Sequence, residues 1–162
     1  EFSRAGRGEP ELELVPVAEV VARALEQTRG AVEQAGADVV VHPLPTLMAE
    51  RSSLCRVFQN LIGNAVKYGR GAGKDVRVRV EWRPVRDAYE FTVADDGPGI
   101  APEYHERAFE LFQTLRPRDE VEGSGMGLAV VRKTTESLGG TVRVDSAPGA
   151  GAAFSFTWPR TV

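Results

Sequence analysis

Ser52-Ser53-Leu54-Cys55-Arg56-Val57-Phe58-Gln59-Asn60-Leu61-Ile62-Gly63-Asn64-Ala65-Val66-Lys67-Tyr68 is the stretch that decides the fold. Leu54, Val57, Phe58, Leu61, Ile62 and Ala65 recur at the helical period and form one broad apolar face. The helix stops at Gly69, with Gly71 and Gly73 close behind. The next two segments switch to period two. Val76, Val78 and Val80 alternate with Arg77 and Arg79, then Tyr89, Phe91 and Val93 mark a second strand, with a turn near Arg86-Asp87. That pattern predicts an antiparallel hairpin with one face buried. Upstream, Glu11 to Val15 reads as a short strand. Val17 to about Gln34 reads as one helix, with Val17, Val20, Val21, Ala24, Leu25 and Val32 on one side. Val39–Val41 and Leu47–Ala49 read as short strands separated by Pro43 and Pro45. Downstream, Pro102–Phe112 reads as a short helix, Gln113–Gly125 as a surface loop and Met126–Leu138 as a helix ended by Gly139-Gly140. Val142–Val144 and Ala153–Trp158 complete a hairpin around Pro148-Gly149-Ala150-Gly151. Helices that do not alternate strictly with strands imply an α+β fold in two layers: a mixed, mostly antiparallel sheet covered on one face by about three helices.

The chain has 162 residues, 42% apolar and 27% charged, which suits one globular domain with a proper core. A net charge of −3 gives no electrostatic reason to expect nucleic acid or an anionic membrane. Cys55 is the single cysteine, so no internal disulfide forms, and among Leu54, Phe58 and Ala65 it is expected to line the core. No apolar run approaches the roughly 20 residues that span a bilayer. Residues 1–10 are polar, with Gly6, Gly8 and Pro10, and are expected to be a linker or an appended leader. Residues 11–160 are then the domain, a piece of something larger.

Three segments carry the chemistry. On the central helix, Asn60, Asn64 and Lys67 fall on one narrow stripe. Asparagine is a mediocre helix former, yet an amide oxygen is a hard neutral ligand of the kind magnesium accepts, and lysine meets phosphate charge. On this segment alone, a solvated polar stripe is the commoner arrangement. Asp95-Asp96-Gly97-Pro98-Gly99-Ile100 follows a strand: a carboxylate able to accept from an exocyclic amine, then glycines that let a flat ligand approach. An ordinary turn has the same composition. Gly123-Ser124-Gly125-Met126-Gly127-Leu128 opens a helix, where free N–H groups and the helix dipole attract phosphate. It follows a polar loop, not the first strand of a βαβ unit, which disfavours a dinucleotide fold. Gly69 to Asp75 lacks P-loop spacing and has Asp75 in place of serine or threonine.

Taken in order, these segments resemble the catalytic ATP-binding domain of bacterial sensor histidine kinases, in the superfamily shared with gyrase, heat-shock chaperones and MutL. Phe58–Tyr68 looks like that family's N box, Asp95–Ile100 its G1 box, Phe109 and Phe112 its F box, and Gly123–Leu128 its G2 box. Leu111-Phe112-Gln113-Thr114-Leu115 with Arg118-Asp119-Glu120 is similar to the phytochrome-like and PAS-linked group. The resemblance implies a Bergerat-type fold, with Asn64 on magnesium, Asn60 beside it, Lys67 on the phosphates and Tyr68 on the base or ribose. It implies Asp95 on the adenine amino group, with Gly97, Gly99 and Ile100 giving the base room. Gly123, Ser124, Gly125, Met126, Gly127 and Leu128 would line the triphosphate, and Phe109 and Phe112 would anchor a lid over Gln113–Ser124. Two departures stand out. No basic residue directly follows the F box, and Ala152 and Ala153 stand where the terminal hairpin often carries a threonine.

The superfamily's ATP hydrolases place a glutamate one turn before the magnesium asparagine, and here that position is Asn60. An amide is no general base, which favours holding ATP for transfer over hydrolysing it. His42 lies in a proline-rich loop, and His105 lacks the long apolar helix an acceptor would ride on. The implied function is therefore ATP- and magnesium-dependent phosphoryl transfer to a histidine on a separate helical dimerisation domain. A homodimeric cytoplasmic parent and a response regulator follow from the resemblance, without direct membrane contact. A non-catalytic nucleotide-gated pseudokinase and an anti-sigma-type serine kinase are the alternatives.

Overall fold

The structure is a computed structural model, and it describes residues 11–68, 76–97, 127–146 and 151–160. Its elements are β1 (Glu13–Pro16), α1 (Val17–Gln27), α2 (Arg29–Ala35), β2 (Asp38–Val41), β3 (Thr46–Ala49), α3 (Arg51–Tyr68), β4 (Arg77–Val85), β5 (Ala88–Asp95), α4 (Gly127–Ser137), β6 (Val142–Ser146) and β7 (Ala152–Pro159). The expected helix Pro102–Phe112, the loop Gln113–Gly125 and the leader 1–10 lie outside the described residues.

Five strands form one sheet in the order β2-β4-β5-β7-β6. β2 runs parallel to β4, and every other neighbouring pair is antiparallel. The mixed, mostly antiparallel α+β layering expected from the sequence is the observed one. The hairpin of β4 and β5 turns at Arg86-Asp87, and Asp87 takes the left-handed conformation (φ 59°) that a tight turn needs and aspartate tolerates. Because side chains alternate, Val78 and Val80 on β4, Phe91 and Val93 on β5, and Phe154 and Phe156 on β7 share the face beneath the helices.

Helix α3 is the keel of that face. Leu54, Val57, Phe58, Leu61, Ile62, Ala65 and Val66 are all buried. The Phe58 ring meets Phe91 and Phe156 edge-on, with centroids 5.5 and 5.3 Å apart. These T-shaped contacts place the positive ring edge on the negative face, which adds to simple area burial. Helices α1 and α4 pack on either part of α3 and complete the layer. Cys55 is partly buried and packs against this core.

Two departures from the sequence reading concern the N-terminal third. The helix expected from Val17 to Gln34 is two helices. Thr28 leaves helical geometry (φ −104°, ψ 11°), and its hydroxyl donates to the Ala24 carbonyl at 2.9 Å. A β-branched residue that can satisfy the last carbonyl with its own side chain, followed by Gly30, ends α1 locally. α2 then runs to Gly36 in the left-handed cap (φ 65°). Second, β1 and β3 do not join the main sheet. They pair with each other in a two-stranded ribbon, Leu14 opposite Met48. Four helices are found among the described residues, where about three were expected, because the break at Thr28 divides one of them.

The far face of the sheet is polar and closes on itself. Glu90 accepts hydrogen bonds from Arg83 Nε at 2.7 Å and from Arg143, and its side chain is 5% exposed. Burial alone would raise its pKa, but the two guanidinium groups outweigh that and hold the carboxyl below its ordinary range. Thr92 and Ser155 share a hydrogen bond beside it.

Candidate functional site

The C-terminal turns of α3 and the end of β5 carry the candidate residues. Asn60 and Asn64 sit one turn apart on the partly buried flank of α3. The Asn64 side-chain nitrogen donates to the backbone carbonyl of Asn60 at 2.9 Å. A carbonyl oxygen accepts only from the NH2 end of the amide, so this bond fixes the amide orientation. It leaves Asn64 Oδ1, a hard neutral donor, without a hydrogen bond from any described residue, and such an oxygen fits a hydrated magnesium ion. Lys67 and Tyr68 occupy the last turn of α3, and their side chains lie outside the described part.

Helix α3 lies on β5, the strand that ends at Asp95. The Asp95 carboxylate accepts from the Gly97 N–H at 2.9 Å and from the Ala152 N–H. Burial is the largest influence on it and outweighs those two donors, pushing its pKa up to about 6, with the neighbouring Asp96 charge adding to the rise. The opening of β7 reaches it because Gly151 has φ 78° and no side chain: a Cβ there would stand 2.2 Å from the Asp95 carbonyl oxygen. Ala152 and Asp95 then pair as the last rung of β5 and β7. A partly buried carboxylate at a strand end, when ionised, suits a donor such as an aromatic amine.

The adjacent acid has a different task. Asp96 Oδ1 accepts from the Arg77 N–H at 3.0 Å, and the Asp96 N–H returns to the Arg77 carbonyl at 3.3 Å. Asp96 therefore ties the chain leaving β5 to the start of β4. The sequence reading singled out Asp95 and gave Asp96 no role. It also missed the part played by Gly151, whose glycine reads as one more turn residue until the register of β5 and β7 is known.

Of the glycine-rich segment, Gly127 opens α4 and Leu128 is a buried core residue. Helix α4 packs on α3, so Leu128 joins the layer that carries Asn60 and Asn64. Gly99, Ile100, Phe109, Phe112, Gly123, Ser124, Gly125 and Met126 lie outside the described residues, as does His105. His42 is exposed and directly follows β2, with its backbone N–H on the Val80 carbonyl. Among the described residues, no group of three or more His, Cys, Asp or Glu could hold a metal, and no helix is long and apolar enough to cross a membrane.

Residues 49–162 match the family model described as histidine kinase-, DNA gyrase B- and HSP90-like ATPase. The chain belongs to this family. The phytochrome-like protein Cph1 of Synechocystis is 39% identical over 92% of this chain and 20% of its own length. The crystal structure of full-length ShkA in complex with AMPPNP superposes with a TM-score of 0.79 at 30% identity, over 96% of this chain and 32% of that one. The mycobacterial sensor histidine kinase MprB superposes at 0.73 with 29% identity, over 95% of this chain and all (100%) of that chain. The chain thus spans about a fifth of the length of curated relatives such as Cph1. It is an ATPase-family domain of the kind found in histidine kinases, phytochrome-like ones included.

Proposed function

We propose that residues 11–160 bind Mg-ATP and pass its γ-phosphoryl group to a histidine on a separate helical dimerisation and phosphoacceptor domain, in two-component signalling. The observation that carries this reading is the Asn60–Asn64 pair. The bond from Asn64 to the Asn60 backbone leaves a neutral oxygen with no hydrogen bond from a described residue, and the position one turn earlier offers an amide. That position provides no carboxylate to activate water, so phosphoryl transfer to a better nucleophile is favoured over hydrolysis. Asn64 would hold magnesium, which supplies neutralisation of phosphate charge when bound. In this reading Lys67 meets the phosphates, Tyr68 the base or ribose, and Asp95 accepts from the adenine amino group. Gly97, Gly99 and Ile100 shape the base pocket, and Gly123 to Leu128 line the triphosphate. Phe109 and Phe112 hinge the lid. Positioning and preorganised charge do the catalytic work.

The reading extends to a homodimeric parent acting in the cytoplasm upstream of a response regulator. Its support is the family of the chain and the kinase names of its relatives. The test is to incubate the chain with labelled ATP, magnesium and a phosphoacceptor domain, then treat the product with acid. An acid-labile phosphohistidine that disappears with Asn64→Ala is expected. ATP binding with no phosphohistidine on any acceptor refutes transfer, and an acid-stable phosphoserine moves the chain to the serine-kinase reading.

A further inference from the structure

Ala152 of β7 stands opposite Asp95 of β5 on one side and opposite Ser146 of β6 on the other, so the three residues form one rung across three strands. Directly opposed side chains of antiparallel strands project to the same face, which puts Ser146 on the face that carries Asp95. The Ser146 hydroxyl donates to the Gly151 carbonyl oxygen at 2.6 Å. On the other side of the strand, the Ala152 N–H donates to the Asp95 carboxylate.

That carbonyl and that N–H belong to a single peptide unit. The unit is planar and trans, as is every described peptide bond, so its C=O and N–H point in opposite directions from one rigid plate. Whatever orients the carbonyl therefore orients the N–H. The plate begins at Gly151, whose φ of 78° lies where glycine alone turns freely, so the backbone by itself holds it weakly. The other donor to Asp95, the Gly97 N–H, is only two residues away and moves with the same loop. Ala152 is the donor that ties the carboxylate to a neighbouring strand.

From this arrangement we infer that Ser146 is a positioning residue for base recognition: through the Gly151–Ala152 peptide it keeps the Asp95 carboxylate aimed at the amino group of a bound adenine. The inference rests on the Mg-ATP reading. Ser146 lies outside the segments that the family resemblance singled out. Without its hydroxyl the plate turns about Gly151, the N–H leaves the carboxylate, and the carboxylate is left to its own loop. Neither bond of this relay involves the sugar or the triphosphate, so the effect is confined to the amine.

The experiment measures, by calorimetry with magnesium, the binding of ATP and of purine riboside triphosphate, which lacks only the amino group. The unsubstituted chain should prefer ATP by roughly tenfold or more, the worth of a hydrogen bond to a charged acceptor. Ser146→Ala should cut that preference by roughly 3- to 10-fold through ATP alone, leaving the analogue within about twofold. Ser146→Thr keeps the donor and should keep the preference within about twofold. Ser137→Ala removes another hydroxyl-to-carbonyl bond, at the exposed end of α4, and should change neither affinity. Should Ser146→Ala fail to fold, Ser146→Cys decides, since a thiol fills the space but donates weakly. An unchanged preference, whether both nucleotides lose affinity or neither does, overturns the inference and leaves the Mg-ATP reading intact. Absence of ATP binding by the unsubstituted chain, or indifference to the amine, overturns the reading beneath it as well.

Discussion

Replacing Asp95 with asparagine separates what this carboxyl does for the fold from what it does for a ligand. The folded-state pKa is raised from 3.8 to about 6. Folding therefore takes up a proton on Asp95 between those values. Its stabilising contribution is fully present below about pH 3.8 and is lost as pH rises through about 6. A rise of about two units corresponds to roughly 3 kcal/mol of cost to the ionised folded state above pH 6. In Asp95→Asn the amide oxygen still accepts from Gly97, but the second acceptor for the Ala152 N–H is lost, which returns about 1 kcal/mol of that gain. Without nucleotide, Asp95→Asn should thus be more stable than the unsubstituted chain at pH 8 by about 1–2 kcal/mol. The advantage should shrink to nothing, or reverse, near pH 4.5. Urea denaturation of both proteins from pH 4.5 to 8, compared as a difference at each pH, is the assay, because other titrating groups cancel in the difference. Mg-ATP affinity should move the opposite way, falling roughly 10- to 100-fold on loss of a hydrogen bond to a charged acceptor. A stability difference that is flat with pH would refute the claim that burial raises the pKa of this group.

Two further expectations concern the sheet. Glu90→Ala removes the acceptor shared by Arg83 and Arg143; because both arginines reach water, the loss should be that of hydrogen bonds to a charge, about 1.5–3 kcal/mol by denaturation at pH 7. Since the Glu90 pKa is lowered in the fold, its contribution is present above the ordinary carboxylate range and fades as pH falls through its depressed folded value, so the variant and the unsubstituted chain should converge only in acid. Phe58→Ala empties the point where α3 meets Phe91 and Phe156, and should cost about 3–5 kcal/mol in urea unfolding.

How far the sequence could be read depended on where each decision is made. The extent of α3 and the hairpin of β4 and β5 were legible because periodicity and a short turn are local properties. The break at Thr28 was not, because the apolar positions of α1 and α2 keep the helical period across it and only a hydroxyl-to-carbonyl bond marks the end. The strand Thr46–Ala49 was visible as an alternating segment, but its choice of β1 over the main sheet depends on a partner some thirty residues earlier in the chain. At the candidate site, residue types together with the family resemblance singled out Asn60, Asn64 and Asp95. Register gave the rest: only the pairing of β5 with β7 shows that Gly151 must be a glycine and that Ala152 stands opposite Asp95. Asp96 and Asp95 have the same chemistry, and their division of labour is set by which backbone N–H each faces.

Arg51, the first residue of α3, holds Glu13 of β1 at 3.6 Å and Glu19 of α1 at 3.4 Å. A helix of this length is a rod of about 27 Å, stiffened along one side by the core. The β1 ribbon is therefore pinned to one end of a lever whose other end bears Asn64 and Lys67. If Asn64 and Lys67 hold Mg-ATP as proposed, a pull on the polypeptide at β1 would reach the ligand along a single rigid member.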